Sequence, residues 1–262
     1  MAELIAPVPA AGRAWFLPEA ARPYLLLGAL LLYTPALLYA DSRVGSVEQQ
    51  YLLGLLTLAL LVACTRSSPP PERRLVWLCV VIATGVEVFA SLIWGEYRYR
   101  FGNVPLFVPF GHGLVCFFAL RAARTPLMQR HGRSIAMLAL AVAGLWAVAG
   151  LSLIPWVFGG RKDTGGGLLF PIFALFVVFS SRAGIFAAIF VATSVLELFG
   201  TGLGSWTWAV SAPVVHFHAG NPPSVVAGAY CVLDGAVLAA AALTARAAGR
   251  LRPLLSATLA RA

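Results

Sequence analysis

Charge is what this chain has least of. Only 11% of its 262 residues are Asp, Glu, Lys or Arg, against about 25% in a soluble domain. So weakly charged a chain, 60% hydrophobic and with a mean hydropathy of +0.85, is read as a membrane protein. Cysteine is scarce too. Cys64, Cys79, Cys116 and Cys231 all sit in apolar runs, where they behave as small hydrophobes, so neither a disulfide framework nor a zinc knuckle is indicated. No phosphate loop, dinucleotide glycine fingerprint, HExxH or serine elbow occurs in a supporting context. The strict polar/apolar alternation of a membrane barrel strand is also missing, which leaves helices as the spanning element.

What is present is a series of apolar runs. They lie at about 23–40, 50–65, 75–95, 105–120, 135–158, 168–181, 183–204 and 225–247. Each approaches the roughly 30 Å hydrocarbon layer in helical length, the sixth being the shortest. The expected fold is an all-α integral membrane protein of about eight transmembrane helices. Residues 1–22 form an N-terminal segment, 23–247 the membrane domain and 248–262 a tail. A cleaved signal peptide ending at Ala40 is disfavoured, because Leu38 is poor three places before a cut and the charged n-region is overlong. The first run is expected to be retained.

The net charge of +9 is a topology signal and not the mark of a nucleic-acid partner. Fourteen of the nineteen basic residues fall in the N-terminus, the even-numbered loops and the C-terminus; the other five are Arg43, Arg98, Arg100, Arg161 and Lys162. The positive-inside rule then places both termini in the cytoplasm, in a bacterial inner membrane.

Two stretches repeat one plan. In 85–116 Glu87 precedes Gly95, Tyr97 and Tyr99; in 195–234 Glu197 precedes Gly204, Trp206 and Trp208. The carboxylates lie four runs apart, so the plan predicts two loosely repeated, parallel four-helix halves, about 23–120 and 135–247. Both aromatic loops face outside on this topology. A carboxylate in the membrane costs about 2.5–3.5 kcal/mol on the insertion scale, and so two at matching positions need a reason.

At 1.5 Å per helical residue, Glu87, His112 and Glu197 are expected about 10–12 Å below the outer surface and Asp234 about 16 Å. These four are the candidate catalytic residues, meeting in one outward-opening chamber as acids and bases. Ser91, Thr201 and Tyr230 stand one turn from the three acids, as neighbours at helical spacing. Trp94, Tyr97, Tyr99, Trp206 and Trp208 line the expected mouth, either as an interfacial belt or as an apolar entrance. Asn103 and Asn221 precede Pro105 and Pro222, which read as helix starts with Asn as cap. With Tyr230, they complete the candidate substrate-binding set. Arg98 and Arg100 suit an anionic headgroup or plain solvation. His216 and His218 form a weak metal signal. No cofactor is expected, although a metal held by Glu87, His112, Glu197 and Asp234 stays open.

The run Trp94-Gly95-Glu96-Tyr97-Arg98-Tyr99, followed by Val104-Pro105-Leu106-Phe107-Val108-Pro109, resembles the bacterial and archaeal carotenoid-biosynthesis membrane proteins that include bisanhydrobacterioruberin-type hydratases. Trp206-x-Trp208 is similar to their pattern as well, whereas GNPPSVVAGAYCVLD departs from it. The resemblance implies water addition across a terminal isoprenoid double bond. It assigns proton donation to Glu87 or Asp234, cation stabilisation to Tyr97, Tyr99, Trp206 and Trp208, and water activation or return of the proton to His112 or Glu197. The expected function is therefore intramembrane acid–base chemistry, hydration or isomerisation of a double bond, on an isoprenoid or other lipid-like substrate. The competing readings are a proton-coupled transporter or lipid flippase, and a non-catalytic assembly partner. Membrane lipids and a lipid-like small molecule are the expected partners, with no nucleic acid.

Overall fold

The computed structural model describes residues 21–152 and 161–259, with side chains up to residue 244. The expected N-terminal segment, the last part of the fifth run and the end of the tail lie outside the described residues. Eight helices are described: α1 (Arg22–Arg43), α2 (Val47–Thr65), α3 (Pro70–Glu87, continued as a π-helical segment Val88–Trp94), α4 (Phe107–Ala122), α5 (Pro126–Ser152), α6 (Thr164–Phe179), α7 (Ala183–Gly202) and α8 (Ala227–Leu259). The chain is all-α apart from two three-residue strands, β1 (Tyr97–Tyr99) and β2 (Trp206–Trp208).

Six helices are long and apolar enough to cross a membrane: α1, α2, α3 with its π segment, α5, α7 and the part of α8 up to Thr244. The other two, α4 and α6, are apolar but only 16 residues long, about 24 Å at helical rise. Ala40 lies inside α1 and the next residue, Asp41, is buried. α8 also runs on well past 247, so most of the expected tail is helical backbone.

Helix ends follow local chemistry. Pro70 and Pro71 occupy the first turn of α3, where a missing N–H costs nothing. The Ser46 side chain caps α2 by accepting from the Gln49 N–H, and Asp163 caps α6 by accepting from the Gly166 N–H. Glu72 in the first turn of α3 pairs with Arg121 and Arg124 at the end of α4, at 2.8 and 2.5 Å. Opposite helix-terminal partial charges favour each partner where it stands. The expected starts at Pro105 and Pro222 are corrected: α4 opens at Phe107 and α8 at Ala227, and Asn103 and Asn221 cap neither. Their amides are held elsewhere. Asn103 donates to Gln50 at 3.0 Å, and Asn221 accepts the Trp208 N–H at 3.0 Å.

Four helices form a closed ring, in which α3 packs on α4, α4 on α7, α7 on α8 and α8 on α3. α2 lies outside against α4, and α6 against α8; α1 packs on α4 and α7, and α5 on α6 and α7. One side of the ring is filled by an apolar core that includes Val76, Cys79, Phe117, Ile189 and Leu233. The other side is capped by the two strands. A left-handed glycine follows each of α3 and α7, Gly95 (φ 78°) directly after the π segment and Gly204 (φ 75°) two residues past Gly202, a conformation that costs glycine nothing. Each chain then turns directly into its strand. β1 and β2 pair antiparallel in the register Tyr97↔Trp208, Arg98↔Thr207, Tyr99↔Trp206. The flanking bonds Ala209 N–H to Glu96 O and Arg100 N–H to Ser205 O extend the ribbon.

The two helix-to-strand passages differ by one residue, with eight steps from Glu87 to Gly95 and seven from Glu197 to Gly204. The π-wound segment absorbs that difference, since each π turn closes over one residue more than an α turn. Both carboxylates therefore arrive at equivalent places under the ribbon.

Candidate active site

Glu87 and Glu197 are both buried, 5% exposed each, and each is clamped by the aromatic pair of its own strand. Glu87 Oε2 accepts the hydroxyls of Tyr97 at 2.8 Å and Tyr99 at 2.6 Å. Glu197 Oε2 accepts the indole N–H groups of Trp206 at 3.1 Å and Trp208 at 3.0 Å. Alternation along a strand puts i and i+2 on one face, so the Y-x-Y and W-x-W spacing is what lets two rings reach one carboxylate. The outer residues Arg98 and Thr207 point the other way and are exposed.

The second oxygens differ. Glu87 Oε1 faces His112 Nε2 at 3.4 Å. The other ring nitrogen, Nδ1, lies 3.0 Å from the Val108 carbonyl oxygen. A carbonyl only accepts, so Nδ1 carries a proton, which leaves Nε2 turned toward Glu87. The imidazole is also stacked on Tyr230, at 5.0 Å and 7°. Glu197 Oε1 has no hydrogen-bond partner among the described residues. With both lone-pair directions of Oε2 taken by N–H donors, a proton on Glu197 belongs on Oε1.

All these groups line one cavity of about 440 Å³. It is lined by Glu87, His112, Glu197, Tyr230, the four ribbon aromatics and Trp94; its remaining wall is mostly leucine, valine and phenylalanine from α1, α4, α6 and α8. Trp94 donates its indole N–H to the Pro213 carbonyl at 2.8 Å and meets Phe217 edge-on. Such a mostly apolar pocket with a few convergent polar groups is the usual form of a small-molecule site.

Asp234 stands apart from the other three candidate catalytic residues. It does not line the cavity, and its carboxyl gathers with the thiols of Cys79 and Cys116, their ligand atoms all within 4.8 Å of one another. The residue of α8 that faces His112 is Tyr230, one turn earlier. Among the described residues this Cys79–Cys116–Asp234 group is the single set of three or more that could hold a metal. A tetrahedral zinc site, with metal–sulfur bonds of about 2.3 Å, needs donors closer than that outer limit. Glu87, His112, Glu197 and Asp234 form no such set, and neither do the exposed His216 and His218. The hydroxyls expected beside the acids bond to backbone instead, Ser91 to the Glu87 carbonyl and Thr201 to the Glu197 carbonyl, both at 2.7 Å. Asn103 and Asn221 fasten the rim and do not line the cavity. Arg100 is committed to the carbonyls of Asp41, Ser42 and Val44.

Glu96 is a wall residue that the sequence reading passed over. Burial against the cavity pushes its carboxyl up to about 7. Its place directly before Tyr97 in the repeated plan, where the second copy has Ser205, was the available signal. Ser205 instead donates to the buried Asp41 at 2.7 Å, which also holds Gln50. Comparison with known proteins finds no matching family model, no matching curated protein and no matching solved structure.

Proposed function

We propose that this chain is an integral-membrane enzyme that protonates a carbon–carbon double bond of an isoprenoid-like lipid and completes the reaction by hydration or isomerisation. The observation that carries the reading is the pairing of one carboxyl that keeps an oxygen free, Glu197, with a Glu87 carboxyl facing His112 inside the same apolar cavity. Glu197 Oε1 gives its proton to the less substituted carbon of the terminal double bond, leaving a tertiary carbocation at the other. The ring faces of Tyr97, Tyr99, Trp206 and Trp208 stabilise that cation. Water then adds to the cation and passes a proton to His112 and Glu87, from which solvent returns one to Glu197. Alkene and water become a tertiary alcohol with the enzyme restored. If a neighbouring carbon loses its proton before water adds, the product is the shifted alkene.

The likeness of residues 94–109 to carotenoid hydratases agrees with this chemistry. We infer further that the two halves are parallel repeats, that both termini are cytoplasmic and that the site opens outward in a bacterial inner membrane. The common orientation of α3 and α7 toward one ribbon and the basic-residue count support that topology. A transporter is favoured less, because the ring below the cavity is packed with side chains such as Val76, Phe117 and Ile189.

The test is turnover of an acyclic isoprenoid alkene by the purified protein in lipid nanodiscs made up in D₂O. Deuterium on the less substituted carbon of the terminal double bond, with or without a gained hydroxyl, is the expected product, and Glu197→Gln should not form it. Unlabelled substrate from the wild-type protein would end the proposal.

A further inference from the structure

Asp234 takes no part in the reaction proposed above, yet it lies within a helical stretch long and apolar enough to cross a membrane. Its carboxyl forms no hydrogen bond or ion pair among the described residues. An acid inside a membrane span is costly and by default has a partner. Gathered with it are the thiols of Cys79 on α3 and Cys116 on α4, every pair of ligand atoms lying within 4.8 Å. Both cysteines are buried in the apolar core with Val76, Phe117 and Leu233. The other two cysteines, Cys64 and Cys231, do not belong to the group.

The group sits one turn deeper than the cavity's own polar residues. Cys116 follows His112 by four residues on α4, and Asp234 follows Tyr230 by four on α8. Side chains at i and i+4 share a helix face, so the stacked His112–Tyr230 pair and the Cys116–Asp234 pair are successive layers of one seam. Cys79 joins the layers, since its thiol reaches the His112 carbonyl at 3.7 Å.

Donor chemistry and charge select the ion. Thiolates favour soft ions, copper(I) and zinc(II) among them. Each thiol loses its proton on binding, so two thiolates cancel the charge of a divalent ion, whereas a monovalent ion would leave an extra negative charge in an apolar core. Three protein donors with the fourth position open is an established zinc arrangement, and its bonds of about 2.3 Å to sulfur and about 2.0–2.2 Å to oxygen put donor atoms roughly 3.5–3.8 Å apart. From the 4.8 Å limit no pair has to close by more than about 1.3 Å.

We propose that Cys79, Cys116 and Asp234 hold a zinc(II) ion that fastens α3, α4 and α8 to one another directly beneath the His112–Tyr230 stack. The ion gives the unpaired carboxyl its partner and ties together three of the four ring helices. This does not depend on the reaction assigned to the cavity.

The probe is purified wild-type protein in nanodiscs, stripped with a chelator and refilled with zinc(II), or with cobalt(II) for its spectrum. One zinc per chain is expected, and with cobalt an intense thiolate-to-metal charge-transfer band in the near ultraviolet, which carboxylates and imidazoles such as Glu87 and His112 do not give. Cys79→Ser and Cys116→Ser should each lower the band and weaken zinc binding at least about tenfold, and the double variant should lack the band. Asp234→Asn should keep the band and weaken zinc binding by a similar factor, while Cys64→Ser and Cys231→Ser should change neither. Unfolding temperatures of the metal-free variants establish that they are folded, and the wild-type spectrum decides for any that is not. No band in the wild type, a full-strength band in either Cys79→Ser or Cys116→Ser, or an equal loss in Cys64→Ser or Cys231→Ser overturns the proposal.

Discussion

The two clamped carboxylates share a backbone plan but not a chemistry. Around Glu87 the donors are phenols and the other oxygen is engaged by His112; around Glu197 the donors are indoles and the other oxygen is free. The shared plan thus brings both acids to one cavity, and the departure from it leaves their second oxygens in different surroundings. The difference extends to packing. Gly200, three residues after Glu197, corresponds to Ala90, three residues after Glu87. A Cβ at Gly200 would meet the Trp206 ring at 1.9 Å, so the bulkier indole requires glycine where the phenol tolerates alanine. Tryptophan and Gly200 came as a pair.

The largest effect should come from the free oxygen. Glu197→Gln keeps an amide of the same shape but no proton to give. Turnover should fall by about 10²–10⁴, with an unchanged elution profile and unfolding temperature to within a few degrees. Equal loss of folded protein would make Glu197 structural and erase the contrast between the clamps. Packing comes next. Gly200→Ala should cost about 1–3 kcal/mol by overpacking and alter Trp fluorescence as Trp206 shifts. The reciprocal Ala90→Gly should cost about 0.5–1 kcal/mol at most, and equal costs measured by thermal unfolding would show the two sites to be equally tight.

Phenol removal tests the first clamp alone. Tyr97→Phe and Tyr99→Phe each delete a donor to a buried carboxylate, a loss of about 1.5–3 kcal/mol in stability where the acceptor is charged. The double variant should fall short of the sum if the two hydroxyls share one acceptor, which a double-mutant cycle reads directly. Last and smallest is the rim. The Glu96 carboxyl is raised to about 7 from 4.5, so its protonated form is favoured in the folded state. Its contribution is complete below pH 4.5 and is lost as pH rises to about 7. Glu96→Gln should flatten the unfolding temperature across that window, whereas Ser205→Ala, its counterpart, should leave the pH slope intact.

Much of this was legible in the chain. Apolar runs announce helices because a lipid-facing surface must be apolar along its whole length, and all eight runs correspond to described helices. Glu87 and Glu197 were conspicuous because charge is rare at such depths, and Y-x-Y and W-x-W were conspicuous against leucine and valine. Other features were hidden. Strands of three residues carry no periodicity to detect, so the antiparallel pairing of β1 with β2 could not be read. Proline led the helix starts astray, since Pro105 and Pro222 precede turns here, and depth counted from Pro223 set Asp234 in the chamber where Tyr230 stands. Side-chain direction decided Ser91 and Thr201, whose hydroxyls return to the preceding turn of their own helices.

By itself the sequence determined that the chain is a bundle of apolar helices carrying two equivalent acids, since burial of charge and helical reach are properties of residues taken a few at a time. Which acid keeps a free oxygen, and which residues close the cavity around the pair, only the tertiary structure decided. The cavity wall depends on contacts between residues more than a hundred positions apart, such as Tyr230 on His112, whose geometry is fixed by how the ring of four helices closes.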